Sequence, residues 1–184
     1  MPYTHIQEAV RFATKAHAGQ TRKGKPNIPY ITHPLGVALI LSQINASEDI
    51  IIAGILHDTV EDSDGKISID AIKQKFGETV AVLVDHVTEK DKKLSWEERK
   101  KEALAHIYKM PNDALLLKSA DTLHNMDDLI ADLEECGEEV WTRFNAPKEK
   151  LIEHYDNIIE ALSTMWPEDP LLIEIRTSLD KIKK

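Results

Sequence analysis

The chain has 184 residues, 42% of them apolar and 30% charged, with a formal net charge of −9 at pH 7. This suits one soluble globular domain with a real core, and it argues against a general binder of nucleic acid or anionic membrane, since those rely on distributed positive charge. No apolar run approaches the roughly 20 residues that span a bilayer, Met1 to Gln20 lacks a secretory pattern, and the single cysteine, Cys136, suits a reducing compartment.

A cytoplasmic, all-α protein of about nine helices in one compact domain, residues 1–184, is expected from apolar residues recurring at helical spacing. Thr4 with Gln7 makes a capping box ahead of Ile6, Ala9, Val10, Ala13 and Ala16, and Gly19 ends that helix. Thr21 to Pro29 reads as a loop crowded with Arg22, Lys23 and Lys25, a candidate for holding phosphate. Pro34 suits a first helical position, and Leu35, Ala38, Leu39 and Leu41 carry the second helix to about Gln43. Ser47 with Glu48 and Asp49 opens a third helix through Ile51, Ile52, Ile55 and Leu56, apolar on most sides and so expected at the centre of the core.

Ser68 caps a short helix to Phe76, where Gly77 permits a left-handed exit, and Glu78 to Val87 is the next apolar helix. Ser95 with Glu98 makes a second capping box, leading a helix to Met110 that Pro111 stops. Asp113 to about Asp132 carries Leu115, Leu116, Leu117, Ala120 and Leu123. A long helix begins near Asn145 with Pro147 in its first turn, and the last spans Leu171 to Lys183. Met126 to Val140 is rich in Asp and Glu with no lysine or arginine, which reads as a solvated face. Trp141, Phe144 and Tyr155 read as anchors of the long helix.

Chemistry concentrates in three segments: Thr32-His33-Pro34, His57-Asp58 followed by Glu61-Asp62, and Ala120-Asp121-Thr122-Leu123-His124-Asn125. Imidazole and carboxylate together suit a divalent metal of intermediate hardness such as Mn, Fe or Zn. With free coordination positions, such a metal makes hydroxide from water near neutral pH. His33, His57, Asp58 and Asp121 are the candidate ligands. Placed on a helix, His57 and Glu61 stack on one face, as do Asp58 and Asp62, so ligands and proton-handling acids would share a cavity. Taken alone, His33 also reads as a capping residue before Pro34, and Asp121 as an ordinary polar residue of an amphipathic helix. His124 reads as packing beside the site, and His5, His17, His86, His106 and His154 as surface or core histidines.

The segments Ala16-His17-Ala18-Gly19-Gln20-Thr21-Arg22-Lys23, Pro29-Tyr30-Ile31-Thr32-His33-Pro34, Leu56-His57-Asp58-Thr59-Val60-Glu61-Asp62, Phe76-Gly77 and Ala120 to Asn125, in this order, resemble the HD superfamily. More narrowly, they resemble the hydrolase domain of the RelA/SpoT alarmone enzymes and the stand-alone small alarmone hydrolases. The resemblance covers about residues 6–162 and leaves 163–184 as a C-terminal helical extension. It implies an all-helical fold binding Mn²⁺ through His33, His57, Asp58 and Asp121, and hydrolysis of the 3′-diphosphate of ppGpp or pppGpp to GDP or GTP plus pyrophosphate. It also implies that Glu61 and Asp62 support catalysis, that Arg22 and Lys23 contact the nucleotide, and that Asn125 lies near the ribose and base. The expected partner is a small nucleotide, with neither nucleic acid nor membrane. Ser119 stands where the family usually has leucine, and Asp128 where it has a small polar residue, so pppApp, NADPH 2′-phosphate or a nucleoside monophosphate is the alternative substrate. A metal- or nucleotide-binding module without activity is the alternative of another class.

Overall fold

The computed structural model describes residues 4–63, 65–89 and 94–184, and among them the chain forms nine α-helices. It divides into two compact units, Met1–Lys90 and Asp91–Lys184.

The first unit holds α1 (His5–Ala16), β1 (Thr21–Arg22), β2 (Lys25–Pro29), α2 (Thr32–Gln43), α3 (Glu48–Leu56), α4 (Ile69–Phe76) and α5 (Glu78–Val87). The Thr4–Gln7 capping box forms as the sequence predicts. At the start of α3 the Ser47 hydroxyl accepts the Ile50 N–H, and Glu48 and Asp49 meet the positive end of the helix dipole. α3 packs against α1, α2 and α5 and buries Ile50, Ile52, Ala53, Ile55 and Leu56, so the most apolar helix is the central one of its unit. The turn from α2 to α3 is short, and Asn45 takes the left-handed conformation in it, with φ 56°. The two helices therefore run side by side in opposite directions, and the start of α2 meets the end of α3 at His33 and His57. Gly54 sets how closely they approach. A Cβ there would stand 2.8 Å from Leu41 Cδ1 and 3.4 Å from Val37 Cγ1, both residues being fully buried.

Three local expectations are corrected. Thr21 to Pro29 is not an open loop but an antiparallel hairpin, with Thr21 opposite Pro29 and Arg22 opposite Lys25. A two-residue turn with Gly24 at φ 73° closes it, and strands this short leave no apolar alternation to read. Pro34 is the third residue of α2 rather than its first, still within the turn where a missing N–H costs no hydrogen bond. α3 stops at Leu56, so the doublets lie in the turn beyond it and in a 3-10 helix, Glu61–Ser63, and not on one α-helical face. The chain tightens there through Thr59 N–H to Leu56 O, although Asp62 N–H still reaches Asp58 O at 2.9 Å.

The second unit holds α6 (Trp96–Ile107), α7 (Asn112–Cys136), α8 (Lys148–Met165) and α9 (Leu172–Ile182). α7 packs on α9, and α8 on both α6 and α9, burying Leu115, Leu117, Met126, Leu162, Ile175 and Leu179. α7 outruns its expected end at Asp132 by a turn and passes into a 3-10 segment, Gly137–Arg143, that apolar spacing does not reveal. Pro147 caps α8 from outside its first turn. Trp141 lies 6.1 Å from Phe144, ring to ring, and carries the Lys148 ammonium 5.2 Å from its centroid, which anchors the start of α8. The acidic run is not solvated throughout: Asp132 is buried, with Arg143 at 3.5 Å, whereas Asp127 is exposed and accepts from the Ser178 hydroxyl at 3.0 Å. Ser119 is fully buried and donates to Asp169 at 2.5 Å, while Asp169 also accepts the Leu171 N–H. Polarity at position 119 thus joins α7 to the turn before α9. No helix among the described residues is long and apolar enough to cross a membrane.

Gly54→Val forces α2 and α3 apart where the nearest atoms are core. It is expected to lower unfolding free energy by about 1–3 kcal/mol and to reduce metal uptake by the purified protein, measured by denaturant melts and elemental analysis.

Candidate metal centre

His33, His57 and Asp58 converge in the first unit, and their ligand atoms lie within 4.8 Å of one another. His33 Nε2 stands 3.2 Å from His57 Nε2 and 3.5 Å from Asp58 Oδ2, and His57 Nε2 stands 3.2 Å from that same oxygen. Both imidazoles are buried, exposing 2% and 4% of their surface. His57 Nδ1 lies 2.8 Å from Gly54 O. A carbonyl only accepts, so Nδ1 carries the proton and Nε2 turns a lone pair towards the cluster. Atoms bound at about 2.0–2.2 Å to one ion stand about 3.0–3.5 Å apart, which is the spacing found. Three electron-rich atoms crowded in a buried place call for a positive charge among them, so the donor set fits a divalent cation.

Spacing in the sequence assigned no role to three residues around this cluster. The Tyr30 hydroxyl donates to Asp58 Oδ2 at 2.6 Å. Burial first, then the charges of Asp58 and Asp62 and the hydrogen bond to Asp58, push the phenol's pKa far up, so it remains a donor. His17, 4% exposed, lies 4.9 Å from the Tyr30 ring, centroid to centroid, and its Nδ1 is 2.7 Å from Gln20 Oε1. The Gln20 amide in turn donates to the backbone carbonyl of Asp62 at 2.8 Å. Gln20 O also accepts the Tyr30 N–H, which ties the hairpin's two ends together. The signal was the His17-Ala18-Gly19-Gln20 and Pro29-Tyr30 wording itself; no periodicity singles these residues out.

Glu61 accepts the Glu89 N–H at 3.1 Å. Its pKa is pushed up to about 7, first by burial and then by the Asp58 charge, against the opposing effect of the Glu89 N–H. Arg22 on β1 holds its guanidinium 5.5 Å from the centroid of Tyr30, the residue that touches Asp58, while Lys23 sits exposed in the hairpin turn. In the second unit, Asp121 and Asn125 lie one turn apart on α7. The Asn125 amide donates to Asp121 Oδ1 at 2.7 Å and Lys118 donates to Oδ2 at 2.9 Å. Lys118, three residues before Asp121, is a partner that the helical spacing itself provides. A separate cleft of about 330 Å³ between α6 and α8, lined by Trp96, Lys100, Lys101 and His154, is spanned by the Lys150–Glu97 ion pair. It brings no cluster of imidazoles and carboxylates together.

A family model described as HD domain matches residues 9–152, and the chain belongs to that family. It is 40% identical over 139 residues to a zebrafish (Danio rerio) protein named guanosine-3′,5′-bis(diphosphate) 3′-pyrophosphohydrolase MESH1, the match covering 74% of this chain and 73% of that one. The human (Homo sapiens) protein of the same name is 40% identical over 139 residues, 74% of each chain. A solved structure described as a metazoan ortholog of SpoT that hydrolyzes ppGpp is similar with a TM-score of 0.77 and 28% identity, covering 99% of this chain and 95% of that one.

His57→Ala/Asp58→Ala should abolish the binding of one transition metal per chain, read by elemental analysis; equal metal in wild type and double variant would defeat the assignment. In the metal-free protein the raised pKa of Glu61 makes a second test. The folded state holds this proton more tightly than the unfolded chain, so the cost of ionising Glu61 is absent below pH 4.5 and complete above about pH 7. Glu61→Gln escapes that cost. Its stability relative to wild type should therefore rise across this window to a plateau of roughly 1–3 kcal/mol, allowing for partial exposure. A pH-independent difference in urea melts would show that Glu61 ionises freely.

Proposed function

We propose that this chain is a divalent-metal-dependent phosphohydrolase that removes the 3′-diphosphate of ppGpp or pppGpp, yielding GDP or GTP and pyrophosphate. The observation that carries the reading is the buried His33–His57–Asp58 cluster, in a chain 40% identical to proteins named for that reaction. Asp121 completes the ligand set and Mn²⁺ is the expected ion, since two imidazoles with two carboxylates suit a metal of intermediate hardness, for which Fe or Zn would substitute. A cation in such a site supplies Lewis acidity and a source of hydroxide near neutral pH.

The remaining work falls to side chains. Glu61, whose pKa burial and the Asp58 charge raise in the metal-free chain, handles the proton, and Asp62, whose backbone carbonyl accepts from the Gln20 amide, orients water beside it. Arg22 grips phosphate bidentately or stacks on the base, and Lys23 adds a point charge. Both offset the repulsion between a polyanionic nucleotide and a protein of net charge −9. Asn125 meets the ribose. A soluble nucleotide substrate and a lone cysteine suit a cytoplasmic enzyme.

Incubation with Mn²⁺ and a panel of ppGpp, pppGpp, pppApp, NADPH and nucleoside monophosphates tests this directly. Release of pyrophosphate and GDP from ppGpp is expected; turnover of NADPH or a monophosphate with ppGpp untouched would replace the substrate. Glu61→Gln and Asp62→Asn should keep the metal and lose about 10²–10⁴-fold in kcat. Arg22→Ala/Lys23→Ala should keep the metal and raise KM strongly.

A further inference from the structure

We propose that Tyr30 is a positioning residue that couples the metal ligand Asp58 to the cationic hairpin. The proposal rests on the metal centre described above. The hydroxyl does not merely find some acceptor: it donates to Asp58 Oδ2, the oxygen that faces both His33 Nε2 and His57 Nε2, and at 2.6 Å. A carboxylate oxygen has two lone pairs, so one goes to the phenol and the other is left directed at the imidazoles. Without the hydroxyl, Asp58 loses the hydrogen bond that fixes which oxygen faces the imidazoles.

The same ring holds the hairpin in place. The Arg22 guanidinium stands 5.5 Å from the Tyr30 centroid, the His17 ring packs at 4.9 Å, and the Tyr30 N–H is bound by Gln20 O at 2.9 Å. The edge of Tyr30 thus fixes a ligand while its ring fixes a candidate phosphate-binding cation. Because the two contacts use different parts of one side chain, two substitutions separate them. Tyr30→Phe removes only the hydroxyl. Tyr30→Leu also removes the aromatic surface on which a cation rests.

The test measures Mn²⁺ affinity by calorimetry and the Co²⁺ absorption spectrum on the whole purified chain, beside ppGpp kinetics, with circular dichroism to check folding. Tyr30→Phe is expected to weaken Mn²⁺ binding about 10–100-fold and to shift the Co²⁺ spectrum. At saturating Mn²⁺ its KM should stay within about twofold of wild type and its kcat should largely recover. Tyr30→Leu should show the same metal loss and a KM raised several-fold even at saturating metal. A purely structural tyrosine predicts lower melting temperatures with unchanged Mn²⁺ affinity and Co²⁺ spectrum, and that result overturns the proposal. If wild type binds Mn²⁺ but leaves ppGpp intact, the substrate reading fails, while the metal measurements still decide the role of Tyr30. A wild-type chain that takes up neither ion removes the metal centre and this proposal together.

Discussion

The close approach of α2 and α3 at Gly54 is the constraint on which the site depends. His33 and His57 are separated by 24 residues, and they meet because two helices of similar length run in opposite directions across a short turn. A Cβ at position 54 would stand 2.8 Å from Leu41 Cδ1, so either that buried side chain or the helix spacing would have to give. Gly54 acts a second time through its carbonyl. The last carbonyls of a helix lack intrahelical donors, and this one is taken by His57 Nδ1 at 2.8 Å. The helix end is thus satisfied by the imidazole, and in being satisfied it fixes which nitrogen faces the cluster. Packing, capping and ligand orientation are one arrangement here, not three.

The electrostatics of the same place run against folding. Asp58, Glu61 and Asp62 follow the C-terminus of α3, the end of the helix dipole that favours cations. Burial first, and then the charges of Asp58, Glu89 and Asp62, raise Glu61 to about 7. A cation shared by Asp58 and the two histidines would offset the Asp58 charge, the largest cause after burial. The carboxylates are therefore concentrated where they cost stability in the metal-free chain and where a divalent ion gains most. Arg22 reaches the same place from the hairpin, over the ring of Tyr30.

What could be read from the sequence follows the range of the interactions. All nine helices, the two capping boxes and the buried α3 depend on neighbours three or four residues apart, and apolar spacing exposes such neighbours. The convergence of His33 with His57 and Asp58 was legible only because the residue types, taken together, are chemically uncommon. Where α3 stops was not legible: the apolar run ends at Leu56, but helix spacing fits residues 57–62 equally well, and the tightening into a 3-10 turn is decided by contacts to Gly54, Gln20 and Glu89. Tyr30 to Asp58 spans 28 residues and Gln20 to Asp62 spans 42, so neither leaves a periodic trace. Ser119, a departure from the family pattern, is tied to Asp169, 50 residues on, a contact no local spacing reveals. The Lys118–Asp121–Asn125 set is the opposite case. Its spacings of three and four on one helix face are the most readable kind of contact, and they set the Lys118 ammonium and the Asn125 amide on the Asp121 carboxylate. An ammonium at 2.9 Å on Oδ2 and an amide at 2.7 Å on Oδ1 hold the Asp121 carboxylate in one orientation, so Lys118 offsets its charge before any ion is bound.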